Sequence, residues 1–515
     1  MTKITCPYCF EVFEDSDVHF RVPSVKKEDT SMLPDRFESI DDIRDDKRLD
    51  AASKKKIIDE YEQKNQFCAQ KDDKYTKFWE DYGGSSEVTE SIDGFAPYLR
   101  RVINPKNPKD KALLKIQDAN DKSLDSYFIR DNGIVSEIQL KNGDVCSQRV
   151  CPHCHNPLPI HYGANPVKYI TLIGISGSGK TVYLSQFLKE LGSELTKVGY
   201  VVPAHTRTLT KYIEDNRIAV GTPLPSATPA ISFQQPIVCE CSKNREKTSI
   251  VLYDVAGELF GNGKYATQEN IDKFARYIKH SDAIMLLIDP LQFDDFHNNG
   301  NSQDVPTAAI TTIYTLLGER GQSVPFAVCI SKADKIYDLM SPTEMVDMLT
   351  SEYEGIPDED NNFRMKPVYN ASQYTGYGEK LATFVNVHNQ GIDQILSNDF
   401  NDYAYFAVSA LGCGVDDSNG YSTPIGPIAP KRLMDPFYWI MYKLNMLEAN
   451  GGVYNPNSPK CVNPDCGKKT TYKLSEPVDY SERVFLKKIF HTCTHHCGSC
   501  GCDFNLDEKW YTVNG

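Results

Sequence analysis

Eight consecutive residues, Gly174-Ile175-Ser176-Gly177-Ser178-Gly179-Lys180-Thr181, follow the order G-x4-G-K-[ST]. Such a run can grip a chain of phosphates. Its glycines let backbone N–H groups close around the oxygens, and a helix starting behind it adds positive potential. Lys180 would reach the β- and γ-phosphates and Thr181 would ligate Mg²⁺. The expected contacts are Gly174, Ser176, Gly177, Ser178, Gly179, Lys180, Thr181 and Val182.

Two further elements fit the same chemistry. Asp254-Val255-Ala256-Gly257 follows an apolar run, Ile250–Tyr253. Asp254 at such a strand end can hold Mg²⁺ through water, and the Gly257 amide can contact a γ-phosphate. Ser331-Lys332-Ala333-Asp334 follows Phe326–Ile330 and resembles the guanine-reading element [NT]-K-x-D, with Ser in place of Asn or Thr. The Asp334 carboxylate would accept hydrogen bonds from the guanine N1–H and 2-amino group. Adenine lacks that donor pair, so one carboxylate discriminates by several kcal/mol. The Lys332 stem would lie along the base. Ser409-Ala410-Leu411 matches the short element whose backbone N–H contacts the guanine O6.

A different chemistry is written in the cysteines. Cys6-Pro7-Tyr8-Cys9 and Cys151-Pro152-His153-Cys154 are near-identical C-x2-C knuckles. Each would supply half of a tetrahedral zinc site. Cys461, Cys466, Cys497 and Cys500 form a second candidate set, crowded by His491, Cys493, His495, His496 and Cys502. Sixteen cysteines could instead mean disulfides, but the N-terminus, Met1-Thr2-Lys3-Ile4-Thr5-Cys6, has no apolar signal core. Paired cysteines without an export signal point to metal and to a cytoplasmic location.

These groups must be held by regular elements. The phosphate run sits between an apolar strand, Tyr169–Ile173, and a helix, Val182–Leu188. Tyr169–Ile175, Ile250–Tyr253, Ala283–Ile288, Phe326–Ile330 and Tyr405–Val408 read as buried strands alternating with amphipathic helices. That pattern predicts a mostly parallel sheet covered by helices, an α/β fold. The expected boundaries are 1–19 for the first half of a zinc ribbon and 20–145 for an inserted arm. The second ribbon half follows at 146–165, a nucleotide domain at 166–447 and a C-terminal ribbon at 448–515. Within the arm, Asp41–Tyr75 carries 19 charged residues in 35 positions and reads as a solvated helical face with Ile57, Tyr61 and Cys68 as its apolar stripe. Asn132-Gly133 and Asn142-Gly143 predict hairpin turns of a small β-meander. Pro436–Tyr442 predicts an aromatic helix packed on the sheet.

Bulk composition bounds partners. Net charge is −14, which argues against generic nucleic-acid binding. No apolar run approaches the ~20 residues of a membrane span.

In their order, the four nucleotide elements resemble those of P-loop GTPases of the translation-factor-related class. Together with Cys6–Cys9, Cys151–Cys154 and Asp435-Pro436-Phe437, they resemble the bacterial zinc-ribbon GTPases of the double-GTPase group of conflict-system genes. The resemblance covers about residues 1–20 and 146–447. It implies GTP and GDP as ligands, Mg²⁺ on Thr181, Thr228 and Asp254, and zinc on Cys6, Cys9, Cys151 and Cys154; the second zinc, on Cys461, Cys466, Cys497 and Cys500, is expected from cysteine spacing alone. It also implies a switch-one Thr, assigned to Thr228 with Thr222 as runner-up. Lys180, Thr228, Gly257 and Glu258 would be the catalytic set. Glu258 stands where many relatives place Gln or His, which implies slow hydrolysis, raised by a protein partner or self-association. Two rivals stand beside this switch: an ATPase or nucleotide kinase, and a non-hydrolysing scaffold binding protein or nucleic acid.

Overall fold

The computed structural model describes residues 2–31, 33–68, 70–82, 100–202, 207–226, 228, 233–260, 264–293, 305–338, 357–358, 361–365, 368–418, 420–449, 493–496 and 503–506. The chain forms two compact units: residues 1–167 with 231–238 and 247–251, and residues 168–230, 239–246 and 252–515.

The first unit is built around short antiparallel pairings. Lys3–Thr5 pairs with Val12–Glu14, and the first knuckle is the turn between them. His19–Arg21 pairs with both Val102–Ile103 and Gln148–Val150, so distant parts of the sequence meet in one small sheet. The predicted meander is present: Phe128–Asp131, Ile134–Gln139 and Val145–Cys146 are antiparallel. Asn132 (φ 50°) and Gly133 (φ 82°) supply the two left-handed residues that a two-residue hairpin needs.

The charged stretch departs from the expected single helical face. It breaks into Ile40–Asp45, Ala51–Lys64 and Asp73–Asp81, capped by Ser39, Asp50 and Asp72. Ile57 and Tyr61 do pack, against Leu33, Phe37 and Ile43. Cys68 does not join that stripe, because the helix has ended at Lys64. The third helix is not a solvated face: Tyr75, Phe78 and Trp79 are buried, and the Trp79 indole donates to Asn156 at 3.0 Å. Phe233 belongs to the same aromatic group, edge-on to Phe78 at 5.7 Å.

A six-stranded sheet runs through residues 167–407. Its strands in chain order are β1 (Val167–Gly174), β2 (Ile237–Lys243), β3 (Glu246–Val255), β4 (Ala283–Ile288), β5 (Phe326–Ile330) and β6 (Tyr403–Ala407). Their spatial order is β2-β3-β1-β4-β5-β6, and β1, β4, β5 and β6 are parallel. Every residue of β4 and β5 is buried, the continuous apolar run of a strand covered on both faces. β2 starts at Ile237, just after Pro236, which has no N–H to give a ladder.

Helix α1 (Lys180–Lys197) leaves β1 through the phosphate run. Helix α2 (Arg207–Asp215) follows, and the C-terminal helix α3 (Asp435–Lys443) is the expected aromatic one. On α3, Phe437 meets Phe187 of α1 edge-on at 5.0 Å, and Trp439 packs on Phe406 of β6 at 5.8 Å. Asp435 pairs with Arg432 at 2.5 Å and accepts from the Tyr374 hydroxyl at 3.2 Å. Among the described residues, no helix is long and apolar enough to cross a membrane.

Candidate nucleotide site and cysteine cluster

Parallel strands deliver their carboxyl ends to one edge of a sheet, and ligands of open α/β folds bind there. The ends of β1, β3, β4, β5 and β6 carry Gly174, Asp254, Asp289, Ser331 and Ser409. Two adjoining compartments open at this edge. One, of about 400 Å³, is lined by the whole run Gly174–Val182 with Thr228, Gly257, Glu258 and Lys332. The other, of about 210 Å³, is lined by Ser331, Lys332, Asp334 and Ser409–Leu411. Ser178, Gly179, Val182 and Lys332 line both, so the two form one groove.

Gly179 stands at the N-terminus of α1 with φ 75°, a conformation that turns the loop amides inward and that side-chain-bearing residues rarely adopt. Lys180 is buried and ion-paired with Asp254; its Nζ also donates to Thr228 Oγ1 at 2.9 Å. Burial draws the Lys180 ammonium down to about 7, against the pull of the Glu258 carboxylate. Thr228 Oγ1 lies 3.3 Å from Thr181 Oγ1 and donates to Asp254 Oδ2 at 3.1 Å. Two hydroxyls and a carboxylate thus converge beside the phosphate loop. That all-oxygen set suits a small hard cation such as Mg²⁺. The Ser178 hydroxyl is buried without a hydrogen-bond partner, a donor left for a ligand oxygen.

Gly257 lies so close to the phosphate loop that a Cβ there would sit 1.8 Å from the Gly174 carbonyl oxygen. No rotamer relieves that overlap, so one backbone must move. Gly257→Ala is therefore expected to cost about 1–3 kcal/mol of stability and to weaken nucleotide binding at least tenfold. Thermal melting and a nucleotide titration of the full chain check both.

At the other compartment, Ser331 does not leave its loop unsupported. Its hydroxyl donates to the Ile288 carbonyl at 3.0 Å, and its N–H to the same oxygen at 2.8 Å. Lys332 is held by Asp289 at 2.7 Å. Ser409 donates to Asp334 Oδ1 at 2.6 Å and accepts from the Gly412 N–H at 3.1 Å. Three supporting residues carry no signal in the motifs. Asp289 restrains Lys332, Gln292 donates to the Ser176 carbonyl at 2.5 Å, and Tyr212 donates to Asp254 at 3.0 Å. Only Asp289, an acidic residue closing an apolar strand, could have been suspected from sequence.

In the first unit, Cys6, Cys9, Cys151 and Cys154 converge, with all four sulfurs within 4.8 Å of one another. Cys6–Cys154 and Cys9–Cys151 are 3.7 and 3.6 Å apart. A tetrahedral ion with ~2.3 Å metal–sulfur bonds has ligand–ligand edges of roughly 3.8 Å. The Tyr8 and His153 amides each donate to a knuckle sulfur at 3.4 Å, which stabilises thiolate charge. This donor set fits zinc. Cys461, Cys466, Cys497 and Cys500 lie outside the described residues.

Residues 168–374, about two fifths of the chain, match the model of the Double-GTPase 2 family. The "Putative ESX-1 scaffolding and assembly protein SaeC" of Mycolicibacterium smegmatis is 25% identical over 321 residues, covering 56% of this chain and 78% of that protein. A GTP-binding protein of the archaeon Sulfolobus solfataricus, solved with GDP, aligns at 14% identity and a TM-score of 0.23, over 54% of this chain and 53% of its own. Elongation factor SelB of Methanococcus maripaludis, solved with a GTP analogue, aligns at 10% identity and a TM-score of 0.22, over 56% and 36%. The chain thus spans about half of the first solved structure and about a third of the second.

Proposed function

We propose that the P-loop GTPase domain of the Double-GTPase 2 kind at residues 168–374 makes this chain a GTP-binding switch that hydrolyses GTP slowly. One observation supports this most: the phosphate loop and Asp334 line adjoining halves of a single groove. A purine triphosphate fits such a groove with its phosphates on Gly174–Thr181 and its base against Ser331–Asp334 and Ser409–Leu411. Lys180 would leave Asp254 for the phosphates. Mg²⁺ would sit on Thr181 and Thr228, with Asp254 holding its water, and supply charge neutralisation. Phosphoryl transfer to water needs positioning and charge stabilisation rather than covalent catalysis.

Glu258 lines the phosphate compartment and is our candidate for orienting water. Its negative charge beside a γ-phosphate accounts for slow turnover. Glu258→Ala is expected to lower single-turnover hydrolysis roughly tenfold or more, with GTP affinity nearly unchanged. Unchanged hydrolysis would remove Glu258 from the mechanism. Competition between GTP and ATP for the unsubstituted chain, followed by phosphate release over many turnovers, tests the whole reading. Preference for ATP, or binding without release, would support the ATPase or the scaffold instead.

The switch needs a reader. We assign zinc to Cys6, Cys9, Cys151 and Cys154, and a second zinc to Cys461, Cys466, Cys497 and Cys500. The ribbons would bind a protein partner or a second copy. The scaffolding and assembly role in the name of the mycobacterial relative agrees with a protein partner. A place in a bacterial conflict or stress system rests on the family resemblance alone.

A further inference from the structure

Asp254, beside the nucleotide groove, is engaged by three side chains. One oxygen pairs with Lys180; the other accepts from Thr228 at 3.1 Å and from the Tyr212 hydroxyl at 3.0 Å. These three partners differ in what a nucleotide would do to them. Lys180 and Thr228 both have alternative anionic or cationic partners in a loaded site. Tyr212 has none, because a phenol hydroxyl neither neutralises phosphate nor competes well for Mg²⁺.

Tyr212 also stands on fixed ground. It lies on α2, and its carbonyl accepts from both the backbone and side-chain N–H of Asn216, at 3.1 and 3.0 Å. The Asn216 carbonyl accepts in turn from Ser185 of α1 at 2.7 Å, and Leu209 is buried beneath α2. The phenol is therefore tied to the helix that carries Lys180 and Thr181, not to the loop that carries Thr228.

We infer that Tyr212 is a positioning residue that holds the Asp254 carboxylate in its metal-facing orientation when Lys180 and Thr228 have turned to the nucleotide. This rests on the reading of the groove as a Mg²⁺–GTP site. It adds a residue that the phosphate, Mg²⁺ and guanine motifs do not contain. Groups that orient a metal-binding residue from behind typically alter metal affinity by 10–100-fold when removed.

The test is Tyr212→Phe in the full chain, which keeps the ring and deletes only the hydroxyl. GTP affinity is measured by titration with excess chelator and then across a Mg²⁺ series, and single-turnover hydrolysis is followed across the same series. The expected result is chelator-state affinity within about twofold of the unsubstituted chain. The Mg²⁺ concentration for half-maximal tightening and half-maximal hydrolysis should rise about tenfold, with the hydrolysis rate at saturating Mg²⁺ restored. An unchanged Mg²⁺ requirement overturns the inference. So does an equal loss of affinity with and without Mg²⁺, which marks a packing role only. If the unsubstituted chain shows no Mg²⁺-dependent binding of guanine nucleotide, the Mg²⁺–GTP reading falls first, and this inference with it.

Discussion

In Asp334→Asn, affinity for GTP is expected to fall roughly 10³-fold while affinity for xanthosine triphosphate rises. A carboxylate accepts two hydrogen bonds, which matches guanine N1–H and its 2-amino group. The asparagine amide accepts one and donates one, which matches xanthine N1–H and its 2-oxo group. With GTP, the new N–H would face the 2-amino donor, and both would lose their water without gaining a partner. Each such buried unsatisfied group costs about 1–3 kcal/mol, and two together give the stated factor. Ser409 pins one Asp334 oxygen at 2.6 Å, so the side chain cannot swing away to relieve the mismatch. Competition binding with GTP, ATP and xanthosine triphosphate decides the matter. Equal weakening for all three would mean that Asp334 only braces the Ser409 loop and reads no base.

The second large effect concerns the cysteine cluster. Cys9→Ser is expected to lower bound zinc from two ions per chain to one and to unfold the first unit at temperatures where the unsubstituted chain is folded. Structural zinc contributes about 10–16 kcal/mol in small domains, as much as a typical domain's whole stability of about 5–15 kcal/mol. The first unit is expected to depend on the ion for a topological reason. His19–Arg21 and Gln148–Val150 are distant in sequence, and their short pairing lies close to the knuckles on both sides. Cys9 and Cys151 stand 142 positions apart in the chain, so closing that loop costs entropy that three paired residues repay poorly. Metal mass spectrometry and circular dichroism on chelator-treated and substituted protein check this. Metal-free protein with unchanged melting would reduce the four sulfurs to a buried thiol cluster.

The two buried ion pairs of that unit place a bound on this expectation. Arg21 pairs with Asp72 at 2.8 Å, and Arg149 with Asp15 at 3.2 Å, with both guanidinium groups fully buried. Pairs of this kind contribute little net stability when intact and cost about 3–5 kcal/mol when one partner is lost. They are therefore not expected to offset loss of a zinc ion.

Much of the nucleotide half was legible in the sequence because its signals are local. Gly179 must be left-handed, β4 and β5 must be continuously apolar, and Asn132-Gly133 must turn; each follows from a few neighbouring side chains. The mostly parallel sheet and the pairing of the two cysteine knuckles were also expected from the sequence; the spatial order of the strands was not. Tertiary structure alone decided the rest. The charge count over 41–75 gave no sign that the helix at its end would bury Tyr75, Phe78 and Trp79, because such a count does not report which face meets a neighbour. Asp289, Gln292 and Tyr212 brace Lys332, Ser176 and Asp254 across 43, 116 and 42 positions. A hydrogen bond between residues so far apart has no periodicity and no spacing rule; it exists only where folding sets a donor opposite an acceptor.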